Sequence, residues 1–498
     1  MIFNNDCESS GEYPRVPFTQ TQRAVRRNDE WTPLQDIRLA IVGVALAASL
    51  SGCVSMPNKG YWLEDRNNDG RPDTPHERAV ETKGSRPFHS RLAIVEFDEQ
   101  GDLWDPVQFR RAKALIQGTK RPLVVTFLHG WQNNARPGNK DLEKFDTLLT
   151  KLDAPAKEAG LDVVGIYLGW RGESFDRKFD WSPLNMLGRQ LSFFSRKYAT
   201  DRMAGIPLTT TIGEISRTAR SHTPRGITIL IGHSFGGRIV ERVVGNALVA
   251  QTANSASSPG TPSRVQMPAD FVLLINPASE SLFALNLKRA LKTWKEPRPA
   301  IVAVRSAGDV ATGGIWTTGM RVGSFGGGYR EYNFNGLRDG QHSYITRTVG
   351  SDRRQITHVL EKRKDASTSC PSDAFSYNLA NATKEKVFIK TLTGCDAYEL
   401  KKVNSRTVKD EKYHLPSEAY WVIQVPNEVL KGHGGDEEQG GIFSQPTREV
   451  FAALFKIANI SEITKTPSGL VAAPLAPLDV AIPTEMSETP SESIVPPP

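Results

Sequence analysis

The fold is predicted from one stretch of the chain, ITILIGHSFGG at residues 227–237. It begins with Ile, Thr, Ile, Leu and Ile, which is typical of a buried strand. Residues 238–244 (RIVERVV) follow with the apolar spacing of a helix. Between them, Gly232, Ser234 and Gly236 have the spacing of a sharp strand-to-helix turn that exposes a serine hydroxyl. Both glycines are needed, because a Cβ at either position would strike neighbouring backbone when the serine takes its strained conformation.

Strand-like and helical patterns alternate on both sides of this stretch. Apolar runs typical of strands occupy residues 92–97, 123–128, 163–168, 271–275, 301–304 and 421–425. Amphipathic patterns typical of helices occupy residues 142–152, 239–248, 282–294 and 447–457. This alternation predicts an α/β fold, in which a mostly parallel central sheet is covered by helices on both faces. Two segments interrupt it: we expect residues 172–211, rich in Phe, Trp and Arg, to form a lid-like insertion, and residues 365–410 to form a late insertion.

The predicted turn places Ser234 at the N-terminus of a helix, where the helix dipole stabilises a developing anion. The main-chain N–H of Phe235, the next residue, is expected to donate to that anion. A second stretch, VVTFLHGW at residues 124–131, is a predicted strand that ends in His-Gly. At these two stretches the chain resembles the α/β-hydrolase superfamily. The resemblance implies an α/β-hydrolase domain over residues 88–466 with the activity of a serine esterase or lipase, which needs no metal or organic cofactor.

The resemblance also implies the second donor to the oxyanion. In these enzymes it is the N–H just beyond the His-Gly pair, which is that of Trp131 here, with Gln132 as the alternative. His129 is expected to have a structural role.

An acid and a base should follow the serine along the chain. The run IVAVRSAGD at residues 301–309 reads as a strand and a short turn that lead to Asp309, the expected acid. Glu280, which follows the preceding strand, is the alternative.

The base is chosen among four histidines that follow Asp309 in the sequence. His433 lies in GHGG (residues 432–435) after the last predicted strand, and the glycines allow that loop to aim the ring at the serine. His433 is therefore the expected base and His342 the alternative, whereas His358 is expected to be a packed side chain. The fourth of these histidines, His414, is given no role. The run VGSFG (residues 322–326) looks similar to the serine turn but lacks its first glycine and a preceding strand.

The beginning of the chain resembles a bacterial lipoprotein signal, which we assign to residues 1–52. Residues 39–51 (LAIVGVALAASLS) follow Arg38 and are apolar or small, but they are too few to span a bilayer, which takes about 20 residues. They end in LSGC (residues 50–53), which is similar to a lipobox and implies a lipid on Cys53. Val54 follows instead of Asp, which implies the outer membrane of the bacterial cell envelope, on its periplasmic face. Residues 1–36 are a longer and more acidic start than such signals normally have.

Residues 53–87 are polar and are expected to form a tether. They contain a weak match to a calcium loop, with oxygen side chains at Asp65, Asn67, Asp69 and Asp73. The bidentate glutamate of such a loop is replaced by His76, so a turn is preferred and no metal is predicted. The cysteines of the body, Cys370 and Cys395, form either a disulfide or two free thiols. Residues 467–498 are rich in Pro, Ala and Ser and are expected to be disordered.

The net charge of +7 arises from basic residues scattered among acidic ones. No basic stripe with interleaved aromatics occurs, so a nucleic-acid partner is not expected. The expected partners are a membrane, through the lipid anchor, and a carboxylic ester, with a lipid ester as one candidate. Two alternatives remain open: an amidase or peptidase on the same fold, and a non-catalytic lipoprotein scaffold.

Overall fold

A computed structural model describes residues 60–62, 88–173, 183–256, 267–291, 299–324, 331–334, 337–362, 387–390, 397–403, 419–434 and 440–457. Outside these ranges lie the predicted leader (1–52), the tail (467–498), the lipidation site Cys53, the calcium-like loop (Asp65, Asn67, Asp69, Asp73), both body cysteines (Cys370, Cys395) and His414. Within the described ranges, no helix combines the length and the apolar character needed to cross a bilayer.

The strands are β1 (Leu92–Glu96), β2 (Pro122–Leu128), β3 (Asp162–Gly169), β4 (Ile227–His233), β5 (Phe271–Ile275), β6 (Ile301–Ser306), β7 (Glu331–Phe334), β8 (Leu337–Gly340), β9 (His358–Lys362), β10 (Val387–Lys390), β11 (Ala397–Lys402) and β12 (Tyr420–Val425). The helices are α1 (Pro106–Gln117), α2 (Lys140–Glu158), α3 (Pro183–Met203), α4 (Ile206–Arg220), α5 (Phe235–Ala256), α6 (Ser281–Ala290), α7 (Trp316–Gly323), α8 (Gln341–Ile345) and α9 (Gln445–Ile457). A π-helical turn, Ala311–Ile315, precedes α7, and a short 3-10 helix, Arg353–Gln355, precedes β9.

The main sheet has ten strands in the order β1-β3-β2-β4-β5-β6-β12-β9-β11-β10. Neighbours from β1 to β9 pair in parallel, whereas β11 pairs antiparallel with both β9 and β10. Strands β7 and β8 form a separate antiparallel pair. The prediction of an α/β fold with a mostly parallel sheet is confirmed. Because all these parallel strands point the same way, their carboxyl ends meet along one edge of the sheet, where the site lies.

Side chains of the central strands are buried on both faces of the sheet. Val124 and Val125, which are adjacent in β2, belong to two different hydrophobic clusters, as the twofold period of a strand requires. Helices α1, α4, α5 and α6 contribute side chains to the first cluster, and α2 and α9 contribute to the second. Burial on both faces explains why these strands read as continuous apolar runs in the sequence.

The segment predicted to be lid-like, residues 172–211, contains α3 and the beginning of α4. Within this segment, Leu208 of α4 and Ala199 and Met203 of α3 are buried in the first hydrophobic cluster. These apolar positions belong to core helices that pack beside the sheet. The described parts of the predicted late insertion, residues 365–410, are β10 and β11, which extend the main sheet.

Residues 60–62 lie within the predicted tether, yet they are bound to the domain. Trp62 is 2% exposed, and its indole N–H donates to the carbonyl of Ala135. The carboxylate of Glu96, at the end of β1, accepts hydrogen bonds from the main-chain N–H groups of Tyr61 (2.7 Å) and Trp62 (2.9 Å). Gln108 of α1 donates both to that carboxylate (3.0 Å) and to the carbonyl of Trp62 (3.1 Å). A free tether therefore does not describe these three residues.

Candidate active site

Ser234 lies on the turn between β4 and α5, at the carboxyl edge of the sheet. Its φ of 55° is a strained left-handed conformation for a residue other than glycine. A Cβ on Gly232 would lie 2.7 Å from the carbonyl oxygen of Gly236, and one on Gly236 would lie 2.0 Å from the carbonyl oxygen of Leu128. The two glycines thus let the turn close against β2, as the sequence pattern predicts.

The structure brings Ser234, His433 and Asp309 together. The Nε2 atom of His433 lies 2.7 Å from the Oγ atom of Ser234, and its Nδ1 atom lies 3.0 and 3.1 Å from the two carboxylate oxygens of Asp309. Because Nδ1 faces only acceptors in this contact, it carries the proton and donates it to Asp309. Nε2 is then the free acceptor toward the serine hydroxyl, which is the state that a general base requires.

Asp309 follows β6, and its side chain is fully buried. The main-chain N–H of Thr312 donates to one carboxylate oxygen (3.1 Å), and the Thr312 hydroxyl donates to the other. Burial alone would raise the pKa of Asp309, but the charge and hydrogen bond of His433 and the two bonds from Thr312 hold it below its ordinary value. Asp309 is therefore ionised at neutral pH and can stabilise a protonated His433.

The His-Gly loop lies directly beside the serine, since a Cβ on Gly130 would be 2.8 Å from the Cβ of Ser234. In the part of the chain that the structure describes, the main-chain N–H groups of Phe235 and Trp131 have no hydrogen-bond acceptor. Both are therefore available to an oxyanion. The alternative donor, the N–H of Gln132, is already bonded to the carbonyl of Gly172 (2.9 Å).

His129 is fully buried and shapes the same loop. Its Nε2 atom accepts the main-chain N–H of Trp170 (3.1 Å), so its Nδ1 atom carries the proton and donates it to the carbonyl of Gly130 (3.0 Å). Burial lowers its pKa to about 4, and the ring is neutral at pH 7. These bonds give His129 the structural role that was expected of it.

The alternative acid and base have other partners. Glu280 lies in a buried ionic cluster, paired with Arg238 and, at 3.0 Å, with Lys197. His342 contacts the hydroxyl of Ser324, the serine of the look-alike run at residues 322–326, at 3.0 Å. His358 is buried in β9 with its ring 4.2 Å from that of Trp421, which confirms the prediction of a packed side chain.

Three residues that hold the loop of His433 were missed by the sequence reasoning. The side-chain amide of Asn276, at the end of β5, donates to the carbonyl of Gly432 (3.1 Å), and the side-chain oxygen of Asn427 accepts the N–H of Gly432 (2.8 Å). The Nε2 atom of His233 lies 2.8 Å from the carbonyl oxygen of His433. Asn276 and His233 are polar residues at the carboxyl ends of neighbouring parallel strands, and that position could have drawn attention to them.

The side chains of Phe235 and Trp131, the two residues with available N–H groups, belong to an aromatic cluster. The ring of Phe193, from α3, lies 5.3 Å from that of Phe235, 5.7 Å from that of Trp131 and 5.6 Å from that of Trp316. Phe194 contacts Phe193 edge to face at 5.4 Å. Phe235 and Trp316 are buried in the first hydrophobic cluster, and Phe193 and Trp131 are partly buried and pack against it.

No protein-family model matches the sequence, and no curated protein matches it either. A solved structure, of an uncharacterized protein from Pseudomonas aeruginosa, is similar at 10% sequence identity and a TM-score of 0.18, over 41% of this chain and 39% of that one. This chain thus spans well under half of that protein's length, and so weak a likeness carries no argument about fold or function. The roles of Ser234, His433 and Asp309 stay predictions that rest on the geometry of the site.

Proposed function

We propose that the protein is a serine hydrolase of the α/β-hydrolase fold, which cleaves carboxylic esters through an acyl-enzyme on Ser234. One observation carries the proposal: the hydrogen-bonded series from the hydroxyl of Ser234 through the ring of His433 to the buried carboxylate of Asp309. The strained serine turn between β4 and α5 supports it further, since that turn exposes the hydroxyl at the edge of a parallel sheet.

In the first half of the reaction, the Oγ atom of Ser234 attacks the ester carbonyl while Nε2 of His433 takes the hydroxyl proton. The ester C–O bond then breaks, and His433 gives that proton to the departing alkoxide. In the second half, His433 takes a proton from water as the oxygen of that water attacks the acyl carbon. The bond between the acyl carbon and Oγ of Ser234 then breaks, and His433 returns the proton to Oγ as the acid is released. Asp309 holds Nδ1 of His433 in the protonated form throughout and stabilises the imidazolium.

Negative charge develops on the carbonyl oxygen in both halves. The free N–H groups of Phe235 and Trp131 are the proposed donors to it, and each such donor contributes about 3 kcal/mol to stabilisation of the transition state. The aromatic cluster to which both residues belong supports an ester with an apolar acyl group as the substrate.

Fluorophosphonate labelling tests the proposal, because this probe reacts only with an activated serine. Wild-type protein should be labelled and should hydrolyse p-nitrophenyl esters, whereas Ser234→Ala should show neither labelling nor hydrolysis. Ser324→Ala is the matched control, since that serine also contacts a histidine but lies outside the proposed site. Labelling that persists in Ser234→Ala would remove this residue from the mechanism, and a folded wild type that is not labelled would favour the scaffold alternative. Faster cleavage of p-nitroanilides than of matched esters would favour an amidase.

Attachment to a membrane through a lipid on Cys53 forms part of the proposal, and the apolar run at residues 39–51 before that cysteine supports it. In bacterial cells, Cys53→Ser should move the protein from the membrane fraction to the soluble fraction and prevent incorporation of labelled palmitate. Unchanged fractionation with no incorporation into the wild type would contradict the lipid anchor.

A further inference from the structure

His233, the residue directly before the proposed nucleophile, contacts the loop that carries the proposed base. Its Nε2 atom lies 2.8 Å from the carbonyl oxygen of His433, and the two ring centres are 5.2 Å apart. A carbonyl oxygen can only accept, so Nε2 of His233 is protonated and donates. The ring thereby joins the end of β4 to the main chain of the base loop.

The other side of the ring faces Asp141, in the first turn of α2. The Nδ1 atom of His233 lies 3.8 Å from a carboxylate oxygen of Asp141. Among the described residues, neither of these two buried atoms has a hydrogen-bond partner. Burial alone would raise the pKa of Asp141, but His233 beside it and the charge of Lys144 hold it below the ordinary value. The carboxylate is thus charged, and its place at a helix N-terminus favours that charge.

Glycines leave the space that the His233 ring occupies. A Cβ on Gly434 would lie 3.0 Å from Nε2 of this ring, and Gly434 also has a φ of +127° that other residues rarely adopt. A Cβ on Gly130 would lie 3.2 Å from Nδ1. The ring therefore sits between the base loop and the His-Gly loop, in contact with both.

We infer that His233 is a positioning residue that fixes the main chain of His433 relative to Ser234. The inference rests on the proposed function, since it concerns the distance between the proposed nucleophile and base. Ser234 and His233 are adjacent in the chain, so the bond to the carbonyl of His433 ties the base loop to the strand that carries the serine. Loss of that bond lets the loop move without changing either reacting group.

Two substitutions of His233 separate positioning from packing. His233→Gln keeps an N–H donor at the place of Nε2, whereas His233→Leu removes it and keeps much of the apolar volume. We expect the leucine variant to lose about 10- to 100-fold in kcat with KM changed less than about twofold, because displacement of a catalytic group by about 1 Å costs this much. The glutamine variant should recover most of kcat. His358→Leu is the matched control, a buried histidine that packs on Trp421, and its kcat should stay unchanged.

Proton NMR gives a readout that does not depend on turnover. The Nδ1 proton of His433, bonded to Asp309, should give a downfield signal in the wild type, and His233→Leu should lose or broaden it through exchange with water. A normal kcat and an intact signal in His233→Leu would overturn the inference. Should the wild type show the signal but no hydrolysis, the proposed function fails, whereas loss of the signal in His233→Leu would still support positioning.

Asp141→Asn keeps the side-chain volume and tests the other side of the ring, where the Asp141 carboxylate lies 3.8 Å from Nδ1 of His233, if the leucine variant does not fold. We expect kcat to fall several-fold with KM unchanged, and full kcat would exclude Asp141 from the positioning of His433.

Discussion

Replacement of Asp309 by Asn removes one charge from the proposed site and leaves its shape unchanged. Asp309 holds a proton on Nδ1 of His433 at 3.0 Å, and the imidazolium that forms in the reaction is stabilised across the same distance. Two unit charges 3.0 Å apart interact by about 5 kcal/mol at an effective dielectric constant of about 20. Since about 1.4 kcal/mol corresponds to a tenfold change in rate, Asp309→Asn should lower kcat by about 10³- to 10⁴-fold.

The geometry around Asp309 adds a second cause for this loss. Thr312 donates its main-chain N–H to one carboxylate oxygen, so in the Asp309→Asn variant the amide oxygen must take that place and the amide nitrogen must take the other. The nitrogen would then donate toward Nδ1 of His433 and favour the tautomer with its proton on Nε2. That tautomer cannot accept the proton of Ser234.

The assay is initial-rate hydrolysis of a p-nitrophenyl ester, with KM expected to change little. Asp352→Asn is the control, because Asp352 is an equally buried carboxylate that pairs with Arg354 away from the site. Its kcat should match that of the wild type. A loss of less than tenfold in the Asp309 variant would show that another carboxylate performs the role assigned to Asp309.

Three further predictions concern stability and the base loop. Trp62→Ala should lower the free energy of unfolding by about 3–5 kcal/mol in urea titrations, because it loses both the apolar burial and the indole hydrogen bond. Trp62→Phe keeps most of the burial and should lose about 1 kcal/mol. Equal stability of all three proteins would mean that residues 60–62 are not bound to the domain in solution. Gly434→Ala should reduce kcat strongly, since its φ is +127° and its Cβ would lie 2.6 Å from Cγ2 of Ile442 and 3.0 Å from Nε2 of His233. Gly432→Ala should cost less, since at a φ of +54° its Cβ has its nearest atom at 3.9 Å; kinetics that rank the two the other way would contradict this packing. Burial raises the pKa of Glu241 from 4.5 to about 7, so the stability that its protonated form contributes is fully present below pH 4.5 and is lost as the pH rises through 7. Relative to Glu241→Gln, the free energy of unfolding of the wild type should fall by about 3 kcal/mol between these two pH values. Parallel pH profiles of stability for the two proteins would refute the pKa shift.

The centre of the fold could be predicted because strand, turn and helix patterns follow one another there in the local sequence. Strand β4, the turn at Ser234 and helix α5 are each specified by adjacent residues, so no distant contact is needed to recognise them. Strands β9 and β11 escaped recognition because HVLEK and AYELKK contain charged residues and no continuous apolar run. They lie toward the antiparallel end of the sheet, and their partners are set by pairing that the local sequence does not encode.

Some residues of the site could likewise be predicted from the local sequence and others could not. His433 could be selected among several histidines because the glycines around it and its place after the last strand are visible in the sequence. The contact between His233 and Asp141 could not be foreseen, since it joins residues far apart in the chain and depends on how α2 begins beside β4. Trp62 was missed for a related reason, because residues 53–87 are polar in composition and its partners are distant in the chain. Its main-chain N–H bonds Glu96 at the end of β1, and its indole N–H bonds Ala135 in the loop after β2.

The bound position of Trp62 sets how far the serine can be from a bilayer if Cys53 carries a lipid. Nine peptide units from Cys53 to Trp62 extend over at most about 30 Å. Glu96 and Ala135, which hold residues 60–62, lie at the carboxyl ends of strands in the same sheet edge as Ser234. An acyl chain on Cys53 would therefore keep Trp62 within about 30 Å of the lipid headgroups, and with it the sheet edge that carries Ser234. The effective concentration of esters embedded in that bilayer would then be high at Ser234. The attachment would not raise the effective concentration of esters dissolved in bulk water.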